Sequence, residues 1–243
     1  MPTIYADATD GYVYKSATGG PSWASVRDAT SGTGASSTTT ARPFGIRVDA
    51  ATGRGGLYAV ERSFFAFDIS SISTEVASAT INLRGYSNGT GDVICVKATA
   101  PDLTSNLVVG DFDAIDGFSA GASMAGNATD YSAEVATWST SGYNTITLTA
   151  DALSDMEDDS ILKVCVVNYD YDYLNVDLGF SGGNHRNGVY YADRSGTSFD
   201  PYIEYTLAGA AVASVDGVAI GNITKIDGIA KANIASINGV DVV

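Results

Sequence analysis

Alternation of apolar and polar residues with a period of two, interrupted by short turns, is the feature that most restricts the fold of this chain. In residues 76–86, for example, Ala79, Ile81 and Leu83 alternate with polar residues. Such alternation is typical of a strand with one buried face. Strand-like segments are 61–68, 76–86, 92–99, 143–149, 161–168 and 202–207. Because only 149–156 has the character of a helix, the sequence predicts an all-β fold.

The length and the charge restrict the class of protein further. A chain of 243 residues with a hydrophobic share of 45% can bury a large core, and β-sandwiches of this size often form one domain. Lys and Arg total 13 against 28 Asp and Glu, so the formal charge is 13 − 28 = −15. The basic residues are dispersed and form no stripe that could neutralise phosphates. We therefore expect neither a nucleic acid nor an anionic membrane as partner.

No targeting signal is recognisable in the sequence. Residues 1–7 lack the basic and apolar regions of a secretory signal peptide. The most apolar stretch, 207–215, is half the length of a membrane span and rich in alanine. We therefore expect a protein that is used inside the cell, released by lysis or exported by another route.

The two cysteines, Cys95 and Cys165, both lie in apolar strand-like runs. Without a signal peptide, buried free thiols are favoured over a disulfide, which stays the alternative. A metal site built on these thiols would need further ligands, and the chain has a single histidine, His185.

The composition changes near residue 207, and an eleven-residue repeat follows. Asp216-Gly217, Asp227-Gly228 and Asn238-Gly239 occupy equivalent positions in three successive units. Each unit has one turn and a few β-branched residues, too little to bury a face alone. We therefore divide the chain into a sandwich at 1–207 and a repeat stem at 208–243, and expect a homotrimer or docking on another protein. The predicted oligomerisation residues are Val215, Val218, Ile220, Ile223, Ile226, Ile229, Ile234, Ile237 and Val240.

Two segments are candidates for ligand binding. The run Tyr169-Asp170-Tyr171-Asp172-Tyr173 alternates acidic and aromatic residues. On an extended strand the two acids would share one face and the tyrosines the other, so that tyrosines could stack on sugars while the acids hold hydroxyls or calcium. Packing on a half-buried sheet is the simpler explanation. His185 and Arg186, in the Gly- and Asn-rich segment 184–188, could contact a ligand from a loop or form a solvated turn.

Catalysis finds no support in the sequence. A Ser-His-Asp triad could use only His185, and no nucleophile elbow is present. The glycine-rich segment 53–56 lacks the pattern of a phosphate-binding loop. Glycoside cleavage needs a pair of carboxylates, and the sequence pattern points to no particular pair. We therefore expect a binding protein that is not an enzyme.

Three segments resemble a known family. They are ADATDGYV at 6–13, RSFFAFDISSI with VASATINL at 62–72 and 76–83, and FDPYIEY at 199–205. Together they resemble DNRLRE-type domains over residues 1–207, which implies a jelly-roll β-sandwich similar to carbohydrate-binding modules. Such domains occur on secreted cell-surface proteins and on phage structural proteins. The Gly/Ala/Ser-rich insert at 116–128 departs from the family pattern.

The resemblance also implies a possible calcium ion. Jelly rolls of this kind often hold a structural ion, and carboxylates suit a hard cation. The acids of the matching segments are Asp7, Asp10 and Asp68. No EF-hand loop is present, and no other cofactor is expected.

The C-terminal repeat resembles the short units that close many tailed-phage fibre, adhesin and decoration proteins. A virion protein is made in the host cytoplasm and needs no signal peptide. We therefore expect a structural virion protein, a capsid decoration, head fibre or tail fibre, that associates with itself, with other virion proteins and with host surface glycans. The alternative is a secreted bacterial carbohydrate-binding or adhesin module, and a polysaccharide depolymerase ranks last.

Overall fold

The computed structural model describes residues 1–208 and, beyond them, the backbone of six two-residue strands; the side chain of Arg54 is outside the description. Within residues 1–208 the strands are β1 (Thr3–Tyr5), β2 (Gly11–Thr18), β3 (Gly34–Ser36), β4 (Ala41–Ala51), β5 (Leu57–Asp68), β6 (Val76–Gly89), β7 (Val93–Lys97), β8 (Tyr143–Thr147), β9 (Ile161–Asn168), β10 (Asn184–Tyr190) and β11 (Tyr202–Leu207). The α-helices are α1 (Trp23–Arg27) and α2 (Ala150–Asp158). Short 3-10 turns occupy Gly53–Gly55 and Val109–Asp113, and a π-helical turn occupies Tyr169–Tyr173. The predicted all-β class is confirmed.

The strands form one extensive, largely antiparallel system. Its path runs β1-β11-β6-β10-β4-β5-β2-β3, with β8 paired to β6, β9 to β5 and β7 to β9. The strands predicted from periodicity correspond to β5, β6, β7, β8, β9 and β11. The predicted helix is α2, and the Thr149 side chain caps it by accepting the backbone N–H of Ala152.

The first hydrophobic core lies between β6, β8 and β11 on one side and β5, β7 and β9 on the other. Ile81 and Leu83 of β6 meet Phe65 and Phe67 of β5 in this core, and all four are fully buried. The alternation read from residues 76–86 therefore decides which face of β6 points inward. The odd-numbered side chains from 79 to 83 are buried, and the opposite face of the strand carries Arg84 and Tyr86.

A second core lies on the other face of β5, β7 and β9. Phe64, Val96 and Val167 pack there beneath Trp23 of α1 and residues of the segment 107–128. These central strands are therefore covered on both faces, and β5 and β9 are buried along almost their whole length. The insert at 116–128 contributes Met124 to this cover and is part of the folded domain.

Both cysteines are free and buried, as predicted. They lie on neighbouring strands, where Cys95 of β7 is paired with Val166 and Cys165 with Val96. Because the two positions differ by one residue in register, Cys95 belongs to the first core and Cys165 to the second. The sheet itself separates the two sulfur atoms.

The chain divides into two compact units, Met1–Thr206 and Leu207–Val243. In the second unit, three antiparallel ladders repeat: β12 (Ser214–Val215) with β13 (Val218–Ala219), β14 (Lys225–Ile226) with β15 (Ile229–Ala230), and β16 (Ser236–Ile237) with β17 (Val240–Asp241). Each ladder has the same two-residue register around one repeat of the sequence.

None of the helices in the described part of the chain combines the length and apolar character needed to cross a membrane.

Candidate functional site

The run at 169–173 is a π-helical turn, and the predicted extended strand is wrong. Strand β9 ends at Asn168, whose side-chain oxygen accepts the backbone N–H of Tyr171 at 3.0 Å. This cap turns the chain out of the sheet, so the period-two separation of acids from tyrosines does not apply. Asp170 and Asp172 consequently lie in different environments.

Asp172 is fully buried and bonded within the protein. Its Oδ2 and Oδ1 accept hydrogen bonds from Arg62 Nε and Nη2 at 2.8 and 2.7 Å. Its backbone carbonyl accepts from Arg27 Nε and Nη2 at 3.1 and 2.9 Å. Asp172 therefore has no capacity left for a ligand, and its contribution is to anchor the turn to β5 and α1.

Two of the three tyrosines in the turn are also committed to the fold. Tyr169 and Tyr173 stack on each other, with ring centroids 5.3 Å apart. The hydroxyl of Tyr173 donates to Asp130 Oδ2 at 2.7 Å, and burial together with this carboxylate raises the pKa of the phenol. Neither ring forms an open platform for a sugar.

Tyr171, Asp170 and His185 are the predicted ligand residues that the structure does bring together. The rings of Tyr171 and His185 lie 4.5 Å apart, and all three side chains are partly exposed. Burial, followed by the charge of Asp92, raises the pKa of Asp170, whereas His185 acts in the opposite direction. Glu134 joins this acidic patch, since a side-chain hydrogen bond with Asp92 raises the pKa of Glu134.

The segment that carries His185 and Arg186 is strand β10, so its interpretation as a loop is wrong. Asn184–Asn187 pair with β4, and Asn187 and Gly188 pair with β6. Gly188 is required by this close packing, because a Cβ there would lie 2.5 Å from the Oγ of Ser87. Arg186 donates to Asp49 Oδ1 at 2.7 Å and stacks over Phe44, which fixes its guanidinium within the sheet.

A polar groove lies beside the acidic patch and shares Asp92 with it. Its volume is about 660 Å³, and its lining comes from the 88–92 turn, the 135–139 segment and the start of β8. Asn144 holds one wall in place by accepting the N–H of Ser139 at 2.7 Å. Trp138 is buried beneath the groove and donates its indole N–H to the carbonyl of Gly188.

Sequence reasoning missed this groove because its lining residues are spread over three segments. The side chain of Asn88, in the 88–92 turn, donates to the carbonyl of Trp138. A polar groove with a neighbouring aromatic side chain, Tyr143, suits hydroxyl-rich ligands.

The three acids predicted to hold calcium do not come together as one ligand set. Asp7 accepts the N–H of Thr9 at 2.9 Å, and the exposed Asp68 accepts two hydrogen bonds from Ser70. Asp10 is fully buried and accepts the N–H of Ala192 at 3.0 Å. Among the described residues, no three acidic, histidine or cysteine side chains form a metal-ligand group. No calcium ion is therefore assigned to these residues.

Asp10 instead lies among further acids. Burial raises its pKa well above the usual range, and the charges of Asp193, Asp200 and Asp7 act in the same direction. A buried carboxyl in such surroundings favours its neutral, protonated form.

The predicted oligomerisation residues fall in the C-terminal unit. Six of them lie in described strands: Val215, Val218, Ile226, Ile229, Ile237 and Val240. Ile220, Ile223 and Ile234 lie outside the described residues, and the side chains of all nine are outside the description. Their role in association stays a prediction.

No protein-family model matches this chain, and a search of curated proteins finds no similar sequence. The resemblance to DNRLRE-type domains stays a prediction.

Proposed function

We propose that this chain is a structural protein of a tailed bacteriophage particle that displays a jelly-roll β-sandwich and assembles through its C-terminal repeats. The observation that carries the proposal is the set of three identical ladders in the second unit. A two-residue hairpin is not stable alone in water. Copies of the same stem around a threefold axis would cover the isoleucines of each unit, as a neighbouring virion protein also would.

The architecture of the first unit supports a sandwich of the jelly-roll kind. Its strands are antiparallel in every pair whose register is described, and two strand layers enclose the first core. Capsid decoration, head fibre and tail fibre are all compatible with such a displayed domain. Host surface glycans are the proposed external partner, because several copies on one particle would multiply a modest affinity.

The surroundings of His185 support a binding role in preference to catalysis. Its ring packs on Tyr171, and its Nε2 lies 3.3 Å from the carbonyl oxygen of Gly182. The acid described near this ring is Asp170, and no hydrogen bond between its carboxylate and the imidazole is described.

Native mass spectrometry of the full chain tests the assembly. We expect a trimer, and we expect the double variant Ile226→Asp, Ile229→Asp to be a monomer with an unchanged sandwich. The matched control is Thr224→Asp, Lys231→Asp, which adds acids to the same stem outside the predicted oligomerisation positions. A monomeric wild-type protein at micromolar concentration that also fails to bind virion proteins would contradict the assembly.

The polar groove and its aromatic neighbour favour one alternative, a secreted bacterial carbohydrate-binding or adhesin module. Labelling of purified phage particles with an antibody against residues 1–207 separates the two functions. Particle-bound label supports the virion protein, whereas protein found on the surface of uninfected cells supports the secreted module.

A further inference from the structure

The outer face of the β1-β11-β6-β10 region carries a continuous strip of aromatic side chains. We call it the tyrosine strip and define it by Tyr5, Tyr202, Tyr143, Phe199, Tyr190 and Tyr86. Tyr5 and Tyr202 are register partners on β1 and β11. The strip faces away from the first core, because Tyr86 is on the face of β6 opposite to Ile81 and Leu83.

The rings contact one another in two groups of three. Their centroids are 5.9 Å apart for Tyr5 and Tyr202, and 4.9 Å apart for Tyr202 and Tyr143. At the other end the separations are 4.8 Å for Phe199 and Tyr190, and 5.2 Å for Tyr190 and Tyr86. Tyr5 and Tyr86 are each 45% exposed, so both ends of the strip are open to solvent.

Two arginines complete the strip. The guanidinium of Arg84 lies 5.8 Å from the ring centroid of Tyr143 and 5.1 Å from that of Phe199, which links the two halves. The guanidinium of Arg194 lies 3.9 Å from the centroid of Phe199 and 4.9 Å from that of Tyr190. Stacking on rings holds both planar groups in place while leaving their N–H donors free to bond.

These two arginines differ from the others in the described part of the chain. Arg27, Arg42, Arg47, Arg62 and Arg186 each form an ion pair with a carboxylate. Within residues 1–208, Arg84 and Arg194 form none, although the chain carries 28 acidic residues. The Nε of Arg84 is moreover buried without any hydrogen-bond partner. The guanidinium groups of Arg84 and Arg194 therefore keep hydrogen-bond donors that no described carboxylate uses.

The two halves of the strip differ in charge. Glu204 lies beside Tyr202, whereas Arg84 and Arg194 surround Phe199. Asp200 is almost completely buried under the middle of the strip, where its carbonyl accepts the hydroxyl of Tyr143, and burial raises the pKa of its carboxyl. A ligand with a carboxylate would therefore place it beside Phe199, near Arg84 and Arg194.

We propose that the tyrosine strip with Arg84 and Arg194 binds a carboxylate-bearing polysaccharide, a chain containing uronic or sialic acids. The rings stack on the apolar faces of successive sugars, and the guanidinium groups donate paired hydrogen bonds to a sugar carboxylate. The inference rests on the binding role proposed for the sandwich and identifies its ligand class. It does not depend on the stem, on the acidic patch or on the turn at 169–173.

Isothermal titration of the full chain with polygalacturonate, and with the fully methyl-esterified polymer, tests this ligand class. The two polymers share one backbone and differ in charge. We expect binding of the acidic polymer, at least tenfold weaker binding of the ester, and a loss of affinity as salt is raised. Equal binding of both polymers would overturn the role of the arginines.

Variants locate the site. We expect Arg84→Gln, Arg194→Gln and Tyr86→Ala each to weaken binding at least fivefold. The matched controls are Lys15→Gln, which removes a positive charge elsewhere, and Tyr14→Ala, which removes a partly exposed tyrosine of β2 outside the strip. Both controls should bind as the wild type does.

Three results would overturn the proposal. One is an unchanged affinity in the double variant Arg84→Gln, Arg194→Gln. Another is no binding of polygalacturonate or of any glycan on an array that includes uronic and sialic acids. The third combines two findings: the wild type binds no glycan, and a variant in the strip is no longer incorporated into particles. Together they would assign the strip to a protein partner. The trimer measurement is independent of all three, so failure here is distinguishable from failure of the proposed assembly.

Discussion

Arg62 and Asp172 form a two-pronged salt bridge in which both side chains are completely excluded from solvent. They are 110 residues apart in the sequence and join the centre of β5 to the turn after β9. Arg62 also donates to the carbonyl of Phe112 at 2.6 Å and to that of Arg27 at 3.1 Å. One guanidinium therefore ties together four segments that cover the second core.

Aromatic rings enclose this buried ion pair. The guanidinium of Arg62 lies 4.3 Å from the ring centroid of Phe112 and 4.8 Å from that of Phe118, and Arg27 lies 4.7 Å from the centroid of Phe118. Phe118 belongs to the Gly/Ala/Ser-rich insert at 116–128. The insert therefore helps to exclude water from the pair, which strengthens its attraction.

Asp172→Asn should destabilise the protein by about 3–5 kcal/mol, because it leaves the buried guanidinium of Arg62 without a compensating charge. The free energy of unfolding from urea titration measures this loss. Asp102→Asn is the matched control, since it removes the carboxylate of an exposed pair with Lys163 and should cost about 0–1 kcal/mol. Similar losses in both variants would show that the buried ion pair contributes no more to stability than the exposed pair does.

Asp10→Asn should flatten the dependence of stability on pH. Burial raises the pKa of Asp10, so the folded state binds a proton more tightly than the unfolded state. The contribution of this group is therefore fully present below the unfolded pKa of about 4 and is lost as pH rises toward the folded pKa. Free energies of unfolding at pH 4.5 and 7.5 should differ less in the variant than in the wild type.

Asp68→Asn is the control for that measurement. Hydrogen bonds from Ser70 lower the pKa of this exposed carboxyl, so its stabilising contribution is present above the unfolded pKa and is lost as pH falls. Removing the Asp68 carboxylate should leave the decline in the free energy of unfolding toward neutral pH unchanged. If the free energy of unfolding depends on pH in Asp10→Asn as it does in the wild type, Asp10 is not a buried, protonated carboxyl.

Gly85→Ala should displace the wall of the polar groove. A Cβ at this position would lie 1.9 Å from the carbonyl oxygen of Ser139 and 3.0 Å from the indole nitrogen of Trp138. We expect a loss of about 1–3 kcal/mol and a shift in tryptophan fluorescence. Gly142→Ala is the control, because a Cβ there would meet nothing within 4 Å. It should leave the stability and the tryptophan fluorescence unchanged.

Both thiols should resist modification in the folded protein. Burial raises the pKa of Cys95 to about 12 and that of Cys165 well above its usual value, so neither forms the reactive thiolate near neutral pH. Titration with Ellman's reagent should detect no thiol in buffer and two per chain in 6 M guanidinium. Rapid labelling of one thiol in buffer would contradict its burial.

Local pattern was sufficient to predict the strands with one apolar face. Residues 202–207 coincide with β11, and the capped helix after β8 begins where Thr149 predicts it. Strands β2 and β4 gave no comparable signal. Strand β4 contains Pro43 and the charged Arg47 and Asp49, and these charges are tolerated because they pair across strands. Pairing of this kind cannot be read from one segment.

The candidate sites depended still more on tertiary structure. The alternation of Tyr and Asp at 169–173 predicts a strand, but the buried Arg62 binds Asp172 and the cap on Asn168 turns the chain. The tyrosine strip escapes sequence reasoning because its rings come from five separate strands and from the segment before β11, none of which has an unusual composition. In the sequence Arg84 is an ordinary outward-facing strand residue. Only the fold places Phe199, 115 positions later, beside it.

By itself, the sequence determined the β class, the inward face of β6, the burial of both cysteines and the repeat of the last 36 residues, because each follows from the period or composition of a short segment. Tertiary structure alone decided that Asp172 is a buried anchor, that the two cysteines lie on opposite faces of one sheet, and that two unpaired arginines share a strip of tyrosines. These relationships depend on the register and layering of distant strands, and contacts over more than a hundred residues leave no local pattern.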